Sequence, residues 1–285
     1  MPTQERPVQV KLPRLVATDL DGTLLRSDGT VSERTRRVLA DAEAAGIEVV
    51  FVTARPPRWL ADLEDLVGGH GRAICLGGAA VWDLASGCAI DVCGFDDDAV
   101  RGLLADLRGA VPGIALALER ADGPVFDPAF TSGRADAHPR EDPAWRTGPV
   151  EATLAGTKGW PVSKILARSG PALFPQEDFF RGVRGAVGNR AHLAYSGAAG
   201  LAELLPPGVT KDAALARWCQ RLGIAASDVW AFGDMPNDLP MLSWAGRAVA
   251  VANAHSDVLA NADVVTARND DDGVAAYLEA ALQEA

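Results

Sequence analysis

Short apolar segments that each end in a polar loop recur near both ends of this 285-residue chain. Residues 15–19 run into DLDGT, residues 48–53 into TAR, and residues 229–232 into GDMPND. A continuous apolar run of this length is typical of a parallel strand that is buried on both faces. Segments of helical spacing, such as residues 32–45, separate these runs. The pattern predicts a doubly wound, mainly parallel α/β sheet whose polar loops share one edge.

The helices between these strands have recognisable ends and faces. Ser32 can cap a helix that Gly46 ends, with Val38 and Leu39 on its apolar face. A second helix is predicted near residues 59–67, and a third follows Thr210 with apolar residues up to Leu222 on one face.

This alternation stops after Asp83 and resumes after Pro206 and Pro207. The segment between them contains candidate strands at 114–119, 125–130, 163–167 and 191–195, and candidate helices at 98–110 and 176–187. Strands that come in pairs with a helix between the pairs are typical of an α+β layer. We therefore predict a core domain from residues 1–83 plus 201–285 and an inserted α+β module at residues 84–200.

Charge and composition exclude several classes of partner. A formal net charge of −11 disfavours binding to nucleic acid or an anionic membrane surface, because both require a basic face. The four cysteines lack the spacing of a zinc site or a disulfide framework, and no apolar run has the length of a membrane span. We expect a cytoplasmic protein, a monomer or small homo-oligomer, that acts on a small ligand.

The first polar loop places two carboxylates close together. Asp19 and Asp21 are two residues apart, so in an extended backbone their side chains point the same way. Such a pair requires a cation between the carboxylates or a proton on one of them, and both conditions suit phosphoryl chemistry. Gly22 allows the backbone to approach an anion, to which the amides of Leu20 and Gly22 can donate. Taken alone, the sequence DLDG is equally consistent with an Asx-turn whose Asp-Gly pair is exposed to solvent.

Two further positions offer donors for a phosphoryl group. Thr53 ends a predicted strand, and its hydroxyl can donate to a phosphoryl oxygen, although a threonine at such a position is more often a helix cap. Lys211 follows the predicted helix cap Thr210, where the first turn of the helix adds positive potential to the ammonium charge. The alternative for Lys211 is an exposed surface lysine.

The last polar loop, GDMPND, contains Asp234, Asn237 and Asp238. Three hard oxygen donors within five residues fit a magnesium ion that keeps several waters. A polar turn with Asn237 as a helix cap is the alternative. All four polar segments fall at the carboxyl ends of predicted strands or at a helix start, and open α/β sheets bind ligands at that edge.

The segments VATDLDGTLL, VTAR, GVTKDAAL and AFGDMPND, in this order, resemble the four motifs of the haloacid dehalogenase superfamily. The arrangement is most similar to that of the Cof-type phosphatases, which carry a C2-type α+β cap between the second and third motifs. The resemblance implies a Rossmann-like core with a cap, and a Mg²⁺-dependent phosphatase. It also implies that Asp19 is the nucleophile and that Asp21 protonates the leaving oxygen and later activates water.

The resemblance further implies which residues hold the metal and the phosphoryl group. Magnesium is held in such enzymes by the carboxylates that match Asp19 and Asp234 and by the main-chain carbonyl that matches Asp21. The positions that match Thr53 and Lys211 bind the transferring phosphoryl group.

Three more positions have roles that the resemblance leaves open. Asp238, with Asn237, is expected to hold metal waters, substrate or the lysine of the third motif. Arg55 is common at its position in the subgroup, and it either faces substrate or forms a surface salt bridge.

Two other functions remain open from the sequence. A phosphomutase or phosphotransferase of the same fold would pass the phosphoryl group to a second hydroxyl. A non-catalytic module would bind a phosphorylated metabolite without using Asp21, which makes that reading the weakest. Sugar phosphates, phosphorylated cofactors and nucleotides all remain open as substrates, and we expect residues near 131–160 of the inserted module to select among them.

Overall fold

The computed structural model describes residues 11–60, 63, 71–131, 146–154, 159–169, 176–194 and 200–284. Its strands are β1 (Leu15–Thr18), β2 (Glu48–Val52), β3 (Arg72–Cys75), β4 (Ala80–Asp83), β5 (Cys88–Val92), β6 (Ala115–Glu119), β7 (Val125–Phe126), β8 (Arg146–Thr147), β9 (Lys164–Arg168), β10 (His192–Ala194), β11 (Leu201–Leu205), β12 (Val229–Gly233), β13 (Arg247–Ala250) and β14 (Val264–Val265). Its helices are α1 (Glu33–Ala44), α2 (Asp97–Ala110), α3 (Pro128–Thr131), α4 (Gln176–Val187), α5 (Lys211–Leu222), α6 (Leu239–Trp244), α7 (Ser256–Asn261) and α8 (Gly273–Glu284).

Eight of these strands form one sheet in the order β14-β13-β12-β1-β2-β3-β4-β5. Strand β1 pairs in parallel with β2 on one side and with β12 on the other. Strands β12, β13 and β14 continue in parallel, whereas β4 and β5 form an antiparallel pair. The chain therefore reverses its direction of strand addition between β1 and β12, which confirms the predicted doubly wound sheet.

The central strands are buried on both faces, as their apolar sequences predict. Every residue of β1 and of β12 is buried, and four of the five residues of β2 are buried. Parallel strands covered by helices on both faces read as unbroken apolar runs for this reason.

Helix α1 begins and ends at the predicted signals. The Ser32 hydroxyl oxygen accepts a hydrogen bond from the Thr35 amide at 3.0 Å, which caps the first turn. Val38 and Leu39 are buried on the predicted face of the helix. Gly46 follows the helix with a φ of +81°, which a glycine adopts without strain.

The other six strands form a second sheet in the order β10-β11-β9-β6-β7-β8. Neighbouring strands are antiparallel except for the parallel pair β7–β8. An apolar cluster joins one face of this sheet, through residues such as Leu116 and Ile165, to α2 and α4, through residues such as Leu103 and Phe179. The segment is thus the predicted α+β layer, with α2 and α4 on one face, whereas Phe130 of α3 packs against the opposite face.

Several elements differ from the sequence-based prediction. Strand β7 ends at Phe126 rather than at residue 130, because Pro128 opens the short helix α3. Strand β11 is not anticipated from the sequence, since the letters LAELL favour a helix. The hairpin β4–β5 is not anticipated either. Leu222 belongs to the predicted apolar face of α5, yet it is 37% exposed.

The contacts divide the chain into two compact units. The first comprises residues 1–52, 62–72 and 215–285, and the second comprises residues 53–61 and 73–214. The domain boundaries predicted from the sequence, 1–83 plus 201–285 and 84–200, stay a prediction. The helix predicted near residues 59–67 and most of the 131–160 segment lie outside the described residues. Within the described ranges, the helices lack the length and apolarity that a membrane span requires.

Candidate active site

The adjacent strands β1 and β12 deliver the first and the last polar loop to one place. Asp19 directly follows β1, and Asp234 directly follows β12. The Asp19 amide donates to the Phe232 carbonyl at 3.0 Å, so the two chains stay in register where the aspartates emerge. The two loops, more than 200 residues apart in sequence, meet at the switch point of the sheet.

Three carboxylates form a buried cluster at this point. One oxygen from each of Asp19, Asp234 and Asp238 lies within 4.8 Å of the other two. Their exposures are 7%, 7% and 0%, so water screens the three groups little. Burying three such groups together is costly unless a cation or protons offset their charge. Carboxylate oxygens are hard donors of the kind that magnesium prefers, so the cluster fits a divalent metal.

Hydrogen bonds from the backbone and from one side chain hold two of these carboxylates. A 3-10 turn over Pro236–Asp238 folds the chain back on itself. There, Oδ2 of Asp238 accepts from the amides of Asp234 at 3.2 Å and Met235 at 3.1 Å. The Thr23 hydroxyl donates to Oδ1 of Asp234 at 2.9 Å. Thr23 was not recognised from the sequence as a site residue, although it lies in the same DLDGT loop as Asp19.

Gly22 lies against the Asp234 carboxylate of the cluster. Its φ is +84°, and a Cβ there would lie 2.5 Å from Oδ2 of Asp234. Its carbonyl accepts from Nδ2 of Asn253 at 2.8 Å, and Oδ1 of Asn253 accepts from the Asn269 amide at 2.9 Å. The sequence offers no signal for Asn253 or Asn269, because neither belongs to a recognised motif.

Asp21 adopts a geometry that differs from the extended backbone assumed from the sequence. Strand β1 ends at Thr18, and a turn follows in which the Leu20 carbonyl accepts from the amides of Thr23 at 3.3 Å and Leu25 at 2.8 Å. Asp21 is exposed and lies outside the cluster of three carboxylates. The proton-transfer role expected for Asp21 stays a prediction.

Thr53 and Lys211 both belong to the second unit, and both are buried. Thr53 directly follows β2 and is 1% exposed. Its hydroxyl oxygen accepts from the Arg55 amide at 3.1 Å, which leaves the hydroxyl hydrogen to donate elsewhere. Lys211 begins α5 and is 6% exposed, so it is not a surface lysine. The Thr210 hydroxyl oxygen accepts from the Ala213 amide at 3.4 Å and caps that helix.

Asn237 and Arg55 have less distinctive surroundings. Asn237 is exposed in the turn between β12 and α6. Arg55 is half-buried, and its carbonyl accepts from the Leu76 amide at 2.9 Å. The structure therefore brings together Asp19, Asp234 and Asp238, whereas the roles expected for the remaining site residues stay predictions.

Comparison with known proteins identifies the family. The model of the haloacid dehalogenase-like hydrolases matches residues 16–278. This chain belongs to the haloacid dehalogenase-like hydrolases. The match includes all four motifs and the segment between the second and the third, so it confirms the family inferred from the motifs.

Curated relatives of this haloacid dehalogenase-like hydrolase carry different names. A Bacillus subtilis protein named 5-amino-6-(5-phospho-D-ribitylamino)uracil phosphatase is 27% identical over 288 residues, which cover 94% of this chain and 98% of the relative. An Arabidopsis thaliana protein named a chloroplastic endoribonuclease YBEY is 28% identical over 271 residues. That match covers 90% of this chain but only 44% of the Arabidopsis protein. Its name therefore describes a protein more than twice as long as the shared part.

A solved structure confirms the fold of this haloacid dehalogenase-like hydrolase. The haloacid dehalogenase-like hydrolase from B. subtilis superposes with a TM-score of 0.77 at 26% identity. The superposition covers 93% of this chain and 99% of that one. Nearly the whole of both chains superposes, so the two proteins share their fold over that length.

Proposed function

We propose that this haloacid dehalogenase-like hydrolase is a Mg²⁺-dependent phosphatase that hydrolyses small phosphorylated metabolites through a phospho-aspartate intermediate on Asp19. The single observation that carries the proposal is the buried cluster of Asp19, Asp234 and Asp238 at the switch point of the sheet. Membership of a hydrolase family and a relative named as a phosphatase support the same reaction class.

The donor set of the cluster fits magnesium. We assign the carboxylates of Asp19 and Asp234 and the main-chain carbonyl of Asp21 as its ligands, with Asp238 holding Asp234 and the metal waters. The hydrogen bonds from Thr23 to Asp234 and from two amides to Asp238 hold both carboxylates in place without the help of an ion. When bound, the ion offsets negative charge on the phosphoryl oxygens.

The residues then divide the chemistry between them. The Asp19 carboxylate attacks phosphorus, the bond from phosphorus to the ester oxygen breaks, and Asp21 gives that oxygen a proton. In the second step Asp21 takes a proton from water, the water oxygen bonds to phosphorus, and the Asp19 carboxylate leaves. We assign binding of the phosphoryl group to Thr53 and Lys211, on the strength of the motif match.

We further propose sugar phosphates or phosphorylated cofactors as the substrate class. The B. subtilis relative is named for one such compound, a phosphorylated ribitylamino-uracil. The net charge of −11 disfavours nucleic acid and anionic membranes as partners. Arg55 and Asn237 are the side chains that we expect to contact substrate, and we expect a cytoplasmic monomer or small homo-oligomer.

The test is release of phosphate from a generic aryl phosphate ester in the presence of Mg²⁺. We expect Asp19→Asn to abolish turnover, because an amide cannot form the phospho-enzyme. Removing the ion with a chelator should also abolish turnover, and adding Mg²⁺ should restore it. The control is Asp98→Asn, since the Asp98 side chain is 95% exposed on α2. Full activity of Asp19→Asn would refute the nucleophile assignment.

Product analysis distinguishes hydrolysis from transfer to another hydroxyl. A phosphatase releases inorganic phosphate whether or not a second sugar hydroxyl is offered. A phosphomutase or phosphotransferase would instead yield a new phosphate ester and little free phosphate. Predominant ester formation would overturn the phosphatase assignment, whereas the assignment of a phospho-aspartate intermediate would still stand.

A further inference from the structure

One face of the second sheet packs under α2 and α4, and the opposite face carries charged side chains as well as a smaller apolar cluster. Along β6, β9 and β11, alternate residues such as Leu118, Ile165 and Leu204 pack in the apolar cluster under α2 and α4. Because side chains alternate along a strand, Glu119, Lys164 and Glu203 lie on the opposite face. Glu119 and Lys164 are direct cross-strand partners of β6 and β9. Three charged side chains thus lie close together on the face opposite α2 and α4.

All three residues are nearly inaccessible to water. The exposed fractions of the Lys164, Glu203 and Glu119 side chains are 4%, 7% and 3%. Nζ of Lys164 lies 2.6 Å from Oε2 of Glu203, which forms a buried ion pair. A buried ion pair contributes little net stability, and apolar residues in its place are often as stable. The presence of charge here is therefore better explained by a need for defined geometry.

The charged residues bind residues 53–59, a segment that follows β2 and belongs to the same unit as the second sheet. Nζ of Lys164 donates to the Ala54 carbonyl at 3.0 Å. The Glu119 carboxylate pairs with both terminal nitrogens of the Arg58 guanidinium, with 2.7 Å between Nη2 and Oε1. Two cross-strand neighbours of the sheet thus anchor the 53–59 segment at two points.

One peptide unit connects Lys164 to the Thr53 hydroxyl. The carbonyl of Ala54 and the amide of Arg55 belong to the same planar group. The carbonyl accepts from Lys164, while the amide donates to Oγ1 of Thr53 at 3.1 Å. Rotation of this plane would break both hydrogen bonds together. The Lys164 ammonium and the Thr53 hydroxyl oxygen are therefore hydrogen-bonded to the two ends of one rigid peptide unit.

We infer that Lys164, held in place by Glu203, is a positioning residue for phosphoryl transfer that acts through the Ala54–Arg55 peptide on the Thr53 hydroxyl. The inference rests on the proposed function, in which Thr53 binds the phosphoryl group. Lys164 itself is outside the four motifs, and neither the family match nor the names of the relatives assign it a role.

The first experiment compares Lys164→Met with Lys11→Met. Both variants remove an ammonium that lies 2.6 Å from a carboxylate, but the Lys11 side chain is 80% exposed. We expect Lys164→Met to lower kcat/KM for an aryl phosphate by about 10- to 100-fold, because small misplacements of binding groups are costly in rate. Lys11→Met should match the wild type. Wild-type kinetics in Lys164→Met would overturn the inference.

A double-mutant cycle with Thr53→Val separates positioning from a general loss of structure. If Lys164 acts through the Thr53 hydroxyl, Lys164→Met should lower kcat/KM by less than about twofold in the Thr53→Val background. If the fold-losses in kcat/KM of the two single variants multiply in the double variant, the inference is overturned. Should Lys164→Met fail to fold, Glu203→Gln replaces it in the cycle, and the same non-additivity is expected.

Hydrogen exchange gives a readout that does not depend on activity. We expect exchange of the Arg55 amide to rise about tenfold in Lys164→Met and to stay unchanged in Lys11→Met. Unchanged exchange in Lys164→Met would refute the positioning role even in an active enzyme. An inactive wild type that shows the expected change in exchange would instead refute the proposed function and retain the link between Lys164 and Thr53.

Discussion

At Gly22 the backbone lies closer to the Asp234 carboxylate than any side chain at that position would allow. With φ at +84° and a Cβ position 2.5 Å from Oδ2 of Asp234, an alanine there must displace that carboxylate. Gly29 provides the matched control, since its φ is +80° but no atom lies within 4 Å of its Cβ position. The two sites share the backbone cost of a left-handed alanine, about 1–2 kcal/mol.

We therefore expect Gly22→Ala and Gly29→Ala to differ in metal dependence. Both should lower the free energy of unfolding by similar amounts from backbone strain. Only Gly22→Ala should raise the Mg²⁺ concentration needed for half-maximal activity, by about 10- to 100-fold, as loss of a supporting group does in metal sites. Magnesium titrations of activity and urea unfolding measure the two effects. Equal Mg²⁺ dependence in both variants would show that Gly22 does not support Asp234.

The start of helix α5 depends on a second glycine in a different element. Gly78 ends the 3-10 turn over Leu76–Gly78, and its φ is +108°. A Cβ there would lie 2.3 Å from the Thr210 carbonyl oxygen and 3.2 Å from the Lys211 amide nitrogen. The turn and the first residues of α5 thus pack backbone against backbone. A side chain at position 78 must shift the turn or the helix that begins with Lys211.

We expect Gly78→Ala to reduce both stability and phosphate binding. Strain and displacement together should cost about 1–3 kcal/mol in the free energy of unfolding. The shift of Lys211 should also weaken inhibition by inorganic phosphate. Gly87→Ala is the control, because Gly87 has a φ of +62° with nothing within 4 Å of its Cβ position. Unchanged inhibition by phosphate in Gly78→Ala would mean that Lys211 tolerates movement of its helix.

At the scale of the whole molecule, packing sets the behaviour of the thiols. Burial raises the pKa of Cys75 to about 12, although the nearby Lys164 charge opposes the shift. Burial, reinforced by Glu48, raises the pKa of Cys219 to about 11. Cys88 is exposed in the β4–β5 hairpin. A thiol is reactive as the thiolate, so the fold protects the two buried cysteines near neutral pH.

We expect a thiol reagent at pH 8 to modify Cys88 rapidly and Cys75 and Cys219 only as the protein unfolds.

The raised pKa values of Cys75 and Cys219 also predict how the free energy of unfolding depends on pH. Above about pH 9 the unfolded chain loses thiol protons that the folded chain keeps, so the free energy of unfolding falls as pH rises. Urea unfolding between pH 7 and 10.5 measures the fall. Cys75→Ala should make the free energy of unfolding fall less steeply with pH, and Cys88→Ala should leave the fall unchanged. Equal slopes in the two variants would contradict the raised pKa of Cys75.

The sequence alone determined the family, the doubly wound sheet and the α+β layer between its two halves. These features follow from local patterns: apolar runs that end in polar loops, caps such as Ser32, and four motifs in a fixed order. The convergence of Asp19 with Asp234 was also predictable, because parallel strands deliver their carboxyl ends to one edge of a sheet. Such inferences need only the period of the hydrophobic pattern and the order of the elements.

Only the tertiary structure decided which other residues support the site. Thr23 and Asn253, and the contact of Gly22 with Asp234, depend on segments that are distant in sequence, and no local pattern encodes a distance of that kind. The ion pair of Lys164 with Glu203 depends on the register of β9 against β11. Strand β11 itself was not predicted, because its residues favour a helix. Sequence periodicity tells which residues are buried, whereas pairing and register decide which buried groups meet.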